Sequence, residues 1–286
     1  MHTLLIIGGG YIASQIADYL KSDWNIVMVD YPAINITDPA SIASVLAEHS
    51  PVLVVNAAAH TNTHEAEKPE THATAYAINT AGVAHIAWAC REHGARLVHI
   101  STGMMFDGTP PRATGWDETD TPAPTSFYTW TKAWADWQLL PRAEADGILI
   151  TRIHTPVSRY ASPKNLLTKL TKFSAAATDQ TSLTVVEDYL AALKQLIAKE
   201  ATGLFHVVAT GTISFYEITE LMRMGGMIPD TLEVGKTTLA AINADIAAKG
   251  GAYQPQSILS NQKLLEYGIE MPDATTAVTQ AIEAYN

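Results

Sequence analysis

Leu4-Leu5-Ile6-Ile7-Gly8-Gly9-Gly10-Tyr11-Ile12-Ala13 is the stretch on which the fold turns. Four apolar residues without alternation read as a strand buried on both faces. The glycines then form a G-x-G-x-x-A pattern opening a helix at Tyr11 and Ile12. Gly8 permits the tight turn, Gly10 lets backbone approach a pyrophosphate, and Ala13 allows close helix–strand packing. The helix start adds amide donors and the positive end of its dipole. Asp30 closes the second strand at the expected offset of ~20 residues. The pattern implies a dinucleotide site.

Working outward, further short apolar runs lie at Ile26–Asp30, Val52–Asn56, Leu97–Ser101 and Ile148–Arg152. Helical stretches separate them, at Tyr11–Lys21, Pro39–Glu48, Thr71–His93 and Ser126–Leu140. Strand alternating with helix predicts an α/β fold, a doubly wound parallel sheet of the Rossmann kind, over residues 1–155. Residues 156–286 read as a smaller substrate-binding lobe, with a cleft between the two and an approximate boundary across which elements interleave. Its expected helices are Leu166–Phe173, Glu187–Lys199, Phe215–Met224, Thr237–Lys249 and Asp273–Tyr285, with a strand at Gly203–Val208.

Composition narrows the classes. The 286 residues are 47% hydrophobic and 16% charged, which excludes disorder, collagen and coiled coil. A net charge of −11 argues against nucleic acid and anionic membranes as partners. The lone Cys90 favours a reducing compartment. Without a signal peptide or a ~20-residue apolar run, a cytoplasmic location is expected.

Cofactor choice follows from charge. Asp30 can accept hydrogen bonds from the ribose hydroxyls of NAD and repels a 2′-phosphate. Before Arg91 the only lysines or arginines are Lys21 and Lys68. NADH is therefore the expected cofactor, with NADPH the alternative.

Tyr128-Thr129-Trp130-Thr131-Lys132 places a phenol and an ammonium one helical turn apart. A Tyr near pKa 10 is a weak acid–base group until a nearby cation favours its phenolate. With 11 tyrosines in the chain the pattern alone is weak, and Tyr160 and Lys164 repeat it. Pro163 interrupts that second match. Position separates the two: Ser101-Thr102 ends the fourth strand, where ligands meet such sheets, and Tyr128 opens the next helix.

Strand-end Thr102, Tyr128 and Lys132 on the following helix, Asn56-Ala57-Ala58-Ala59 after the third strand and Asn79 beyond it resemble the short-chain dehydrogenases/reductases. Pro51–Thr61 and Arg96–Gly108, with Ser101-Thr102-Gly103 and Phe106-Asp107-Gly108, narrow the resemblance to the dTDP-4-dehydrorhamnose reductases. Asp120-Thr121-Pro122, Ser126-Phe127-Tyr128, Ser162-Pro163-Lys164-Asn165, Thr168-Lys169-Leu170, Ser182–Val186 and Gly203-Leu204-Phe205 are closer still to plant and viral nucleotide-rhamnose 3,5-epimerase/4-reductases. The likeness spans nearly the whole chain. It implies an extended enzyme of this type that reduces the C4 ketone of a nucleotide-linked 4-keto-6-deoxyhexose.

By that resemblance Tyr128 protonates the C4 oxygen as hydride arrives, and Thr102 hydrogen-bonds the carbonyl. Lys132 holds the ribose hydroxyls and lowers the Tyr pKa. Gly8, Gly10, Tyr11, Ile12, Asp30, Asn35, Ile36, Asn56, Ala57 and Ala58 complete the expected cofactor side. Met104, Arg152, Asn165 and Lys169 are expected to meet the sugar nucleotide. The bifunctional enzymes carry a Cys where this chain has Met104, and a thioether cannot serve as general acid or base. A 4,6-dehydratase would carry Asp-Glu where Gly103-Met104 stands. Alternatives are a bifunctional 3,5-epimerase/4-reductase using another acid, and a non-catalytic regulatory subunit of the same fold.

Between Asp146 and Asp179 lie Arg152, Arg159, Lys164, Lys169 and Lys172 and no acidic residue, a basic stripe suited to a diphosphate. His60 and His64 lack supporting ligands, so no metal is expected. Trp130, Trp134 and Trp137 share a face of the Tyr128 helix, read as core or as the interface of a homodimer.

Overall fold

The computed structural model describes residues 1–285. Its central sheet is built from β1 (Thr3–Ile7), β2 (Asn25–Val29), β3 (Leu53–Asn56), β4 (Arg96–Thr102), β5 (Ile148–Ile153) and β6 (Gly203–His206). Their spatial order is β6-β5-β4-β3-β1-β2. β1 pairs in parallel with β2 (Thr3 opposite Asn25) and with β3 (Leu4 opposite Leu53), and β3 pairs in parallel with β4. Leu4 through Ile7 are all at most 1% exposed, so the unalternating apolar run does reflect burial on both faces. After β1 the chain goes outward to β2 and returns to β3 on the other side. That reversal is the switch point where such sheets take ligands, beyond the strands' carboxyl ends.

The crossover helices are α1 (Tyr11–Leu20), α2 (Pro39–His49), α3 (Gly82–His93) and α4 (Phe127–Leu139). Asp38 caps α2 through Ala40 N, and Pro39 follows with its φ already set for a helix. Ile42 and Leu46 of α2 and Val83 and Ile86 of α3 pack with Leu5, Val54, Leu97 and Ile150 of the sheet in one buried cluster.

The expected single helix Thr71–His93 is three pieces: His72–Tyr76, a π-helical turn at Ala77–Ala81, and α3. The cause is Asn79. Its side chain is fully buried, accepts from His60 N (2.8 Å) and donates to His60 O (3.1 Å) and Thr131 Oγ1 (3.0 Å). Presenting that amide inward takes one extra residue in the turn. Leu166–Phe173 also ends early, as Leu166–Leu170.

The chain forms two compact units, divided at more places than a single boundary at 155. One unit comprises 1–102, 126–151 and 193–205; the other comprises 103–125, 152–192 and 206–286. The early segment 103–125 belongs to the second unit because that unit's late chain fastens it. Trp116 N donates to Ile258 O (2.8 Å), Gln256 N to Asp107 Oδ1 (2.9 Å), and Ser257 Oγ to Phe106 O (2.6 Å). Residues 193–205 join the first unit, where Arg96 Nη2 donates to Ala201 O (3.1 Å) and Lys194 pairs with Asp23 (2.7 Å). The division falls within α5 (Val186–Ala198). The second unit has its own core, in which Leu167, Leu170, Val185 and Ile213 meet Ile218 and Met222 of α6 (Phe215–Met224) and Val278 and Ile282 of α7 (Ala274–Glu283).

Candidate active site

Gly8, at the end of β1, has φ +112°, open to glycine and costly for other residues. A Cβ there would also stand 2.9 Å from Ala58 N, so the turn closes against the end of β3. Gly10 is the N-cap of α1 with no side-chain bond to the first turn, and the space its Cβ would enter holds no atom within 4 Å. A helix N-terminus without a side-chain cap, opening from a glycine turn, fits an anionic pyrophosphate. Tyr11 and Ile12 begin α1 half-buried. Asp30 is exposed, accepts from Tyr31 N (2.9 Å), and leans over the glycine turn, its Oδ2 2.6 Å from where a Gly9 Cβ would lie. The acidic group thus stands beside the turn it was expected to serve, and these residues fit a nicotinamide dinucleotide.

The remaining expected cofactor residues divide. Ala57 and Ala58 are half-buried beyond β3, with Ala57 N donating to Ile7 O (2.9 Å). Asn35 Oδ1 is occupied by its own loop, accepting from Thr37 N (3.1 Å) and Thr37 Oγ1 (2.8 Å). Ile36 is 7% exposed and packs in the sheet's core cluster. Asn56 is fully buried; its Oδ1 accepts from Ala58 N (3.1 Å) and its Nδ2 lies 3.2 Å from His99 Nδ1.

Ser126 begins α4. Its Oγ accepts from Thr129 N (3.3 Å) while Ser126 N donates to Thr129 Oγ1 (3.1 Å), a reciprocal cap that starts the helix there. Tyr128 consequently sits in the first turn and Lys132 one turn later. Both are buried, with Thr102 at the end of β4 hydrogen-bonded to the phenol. Burial pushes the Tyr128 phenol up to about 12, only partly offset by Thr102. The expected lowering by Lys132 is corrected here. Lys132 Nζ donates instead to Ile100 O (3.0 Å) and lies 3.3 Å from His99 Nε2. Burial brings the Lys132 ammonium down to about 8 against the opposing pull of Asp136. A neutral phenol is the form that can give a proton away.

His99 was not among the expected site residues. It is fully buried, and burial together with the Lys132 charge holds its imidazole well below the ordinary value. The available signal was a histidine inside the apolar run Leu97–Ser101, where a ring that titrates must find partners.

On the expected substrate side, Met104 is half-buried and Lys169 exposed. Arg152 and Asn165 are both buried. Arg152 is 1% exposed, with Nη1 3.2 Å from His206 Nε2 and its guanidinium over the Phe106 ring. Asn165 is fully buried, and its amide is spent on its own loop: it donates to Ser158 O (2.5 Å) and Tyr160 O (2.9 Å) and accepts from Leu167 N (3.1 Å). Both side chains make these bonds within the second unit. The basic stripe is accordingly not one face. Arg159 donates to Tyr160 Oη (2.9 Å), while Lys164, Lys169 and Lys172 are exposed. Tyr160 and Lys164 lie outside any helix, so the second Y-x-x-x-K match aligns nothing.

The profile of the family described as "RmlD substrate binding domain" matches residues 1–286. A trifunctional UDP-glucose 4,6-dehydratase/UDP-4-keto-6-deoxy-D-glucose 3,5-epimerase/UDP-4-keto-L-rhamnose-reductase of Arabidopsis thaliana is 29% identical over 204 residues, 69% of this chain. The match spans only 30% of that relative's length. A dTDP-4-keto-6-deoxy-D-glucose reductase of Streptomyces niveus is 28% identical over 274 residues, 91% of this chain and 89% of the relative. Among solved structures, a Bacillus anthracis dTDP-4-dehydrorhamnose reductase in complex with NADP superposes with a TM-score of 0.82 at 25% identity, covering 99% of this chain and 97% of that one.

Proposed function

We propose that this chain, which belongs to the RmlD substrate binding domain family, is a nicotinamide-dependent reductase of the C4 ketone of a nucleotide-linked 4-keto-6-deoxyhexose. The observation that carries the reading is the buried group of Thr102, Tyr128 and Lys132 at the carboxyl end of the sheet, beside an uncapped helix N-terminus. The bound nicotinamide supplies hydride. Tyr128, kept neutral by burial, hands its phenolic proton to the oxygen as the carbonyl becomes an alcohol. Thr102 orients the phenol and the carbonyl by hydrogen bonding, and Lys132 serves the ribose hydroxyls. Gly8, Gly10, Ala57 and Ala58 leave room for the dinucleotide, and the α1 amides meet its pyrophosphate.

Asp30 favours NADH over NADPH, since a carboxylate beside the glycine turn opposes a 2′-phosphate. Met104 makes this a reductase without epimerase action, because no proton can be taken up or released at its sulfur. Trp130 and Trp134, 44% and 49% exposed on α4, are the face we assign to a second copy of the chain. No helix of the described residues is long and apolar enough to cross a membrane. A cytoplasmic site of action fits the single, buried Cys90.

The test is thermal unfolding with cofactors and nucleotide sugars. NADH should raise the midpoint more than NADPH, and a nucleotide-linked 4-keto-6-deoxyhexose should raise it further. A ligand at 100 times its Kd stabilises by about 2.7 kcal/mol. Absence of any shift with either cofactor contradicts the reading; equal shifts remove the NADH preference alone.

A further inference from the structure

The hydrogen bonds around His99 do not balance if Lys132 is an ammonium. Ala58 N–H occupies Asn56 Oδ1 at 3.1 Å, which leaves the amide's Nδ2 facing His99 Nδ1 at 3.2 Å. An NH₂ group only donates, so Nδ1 must accept, and a neutral imidazole then carries its hydrogen on Nε2. That Nε2–H faces Lys132 Nζ at 3.3 Å. An ammonium has no lone pair, and the two groups would be opposed donors inside a fully buried pocket. An amine keeps a lone pair for Nε2–H and still has hydrogens for Ile100 O at 3.0 Å. Flipping Asn56 offers no escape, because its NH₂ would then face the Ala58 N–H.

We propose that His99 is a positioning residue that donates its Nε2–H to Lys132 and so favours the amine over the ammonium in the cofactor-free protein, drawing that side chain's titration toward neutral pH. The direction agrees with burial, which brings Lys132 to about 8. From β4 His99 acts on Lys132, and from its own helix Asp136 acts in the opposite sense, favouring the ammonium. Tyr128, whose phenol burial pushes up to about 12, gains nothing from a cation here. β3 and the π-helical turn contribute Asn56 and Asn79, which do not titrate. Resting on the reductase reading, one consequence follows: where Lys132 turns to the ribose hydroxyls as an ammonium, cofactor binding above pH 8 takes up a proton.

The test uses the full chain without cofactor, so its outcome does not depend on that reading. In protein labelled with ¹⁵N-histidine, long-range proton–nitrogen spectra should show His99 as the neutral Nε2–H tautomer at pH 9, where Lys132 is an amine. In protein labelled with ¹³C at lysine Cε, the Lys132 resonance, identified by its loss in Lys132→Met, should titrate near 8. His99→Gln offers an amide oxygen that accepts from an ammonium, and should raise that midpoint by about one unit, a tenfold change in acidity. The proposal is overturned by an Nδ1–H tautomer, by a doubly protonated His99 at neutral pH, or by a Lys132 midpoint near the ordinary ~10.4. The first two outcomes need no variant to fold.

Discussion

Tyr128 shows how one side chain's surroundings choose its role. Desolvation outweighs the Thr102 hydrogen bond, so the phenol stays protonated across the physiological range. For a proton donor that is the working state. Tyr128→Phe removes only the transferable proton, and turnover should fall by about 10²–10⁴-fold with nicotinamide affinity unchanged. Tyr160→Phe, 40% exposed and bonded to Arg159, should leave turnover within about twofold. Steady-state kinetics beside direct cofactor titration checks both, and greater damage from the Tyr160 change would reverse the choice between the pairs. Arg152 and Asn165 mark the limit of reading at this scale. Charge and motif position brought them out, but their burial and their bonds within the second unit depend on tertiary packing that no local pattern encodes. His99 is the converse: a polar residue in a buried strand, concealed by the apolar run around it.

At the scale of elements, most of the fold was legible because strand and helix leave different periodicities. α6 falls where expected, Phe215–Met224, and α1 and α4 begin at the glycine turn and at Ser126. The exception, the π-helical turn around Asn79, has a tertiary cause, since the helix widens to place an amide between His60 and Thr131. Caps are local and read well. The Ser126–Thr129 box sets where α4 begins and therefore where Tyr128 points. Ser126→Ala should destabilise the protein by about 1 kcal/mol. It should also lower kcat without altering KM for the cofactor, because the misplaced first turn carries Tyr128, the proposed proton donor. Urea unfolding and kinetics together test this; lost stability with unchanged kcat would separate the cap from the site.

For the whole molecule, buried neutral histidines couple stability to pH. Burial lowers His154 to about 4 and holds His99 and His206 well below the ordinary value. Each is depressed in the fold, so its contribution is present above the unfolded value of ~6.5 and is lost as pH falls toward the folded value. His154 alone should cost about 2 kcal/mol between pH 6.5 and 5, at ~1.4 kcal/mol per unit. Glu118 and Asp188, raised by burial, act in the opposite sense. The urea midpoint should therefore be lower at pH 5 than at pH 7, with His154→Gln reducing the difference. An equal or higher midpoint at pH 5 would contradict a net histidine effect of this sign. The division into units was the least legible feature. Residues 103–125 join the second unit through bonds to chain more than a hundred residues later, such as Trp116 N to Ile258 O, which no contiguous boundary can express.

The central claim is that the chain reduces a nucleotide-linked 4-keto-6-deoxyhexose without epimerising it, Met104 standing where a proton-transfer group would be needed. It is tested most directly by NMR in D₂O with two substrates, the nucleotide-linked 4-keto-6-deoxyglucose and its 3,5-epimerised isomer, each with and without NADH. The account predicts that the epimerised substrate is reduced at C4 when NADH is present. It also predicts no enzyme-dependent deuterium at C3 or C5 of either sugar without NADH. Rapid deuterium incorporation at both carbons, or no reduction of either substrate, would contradict it.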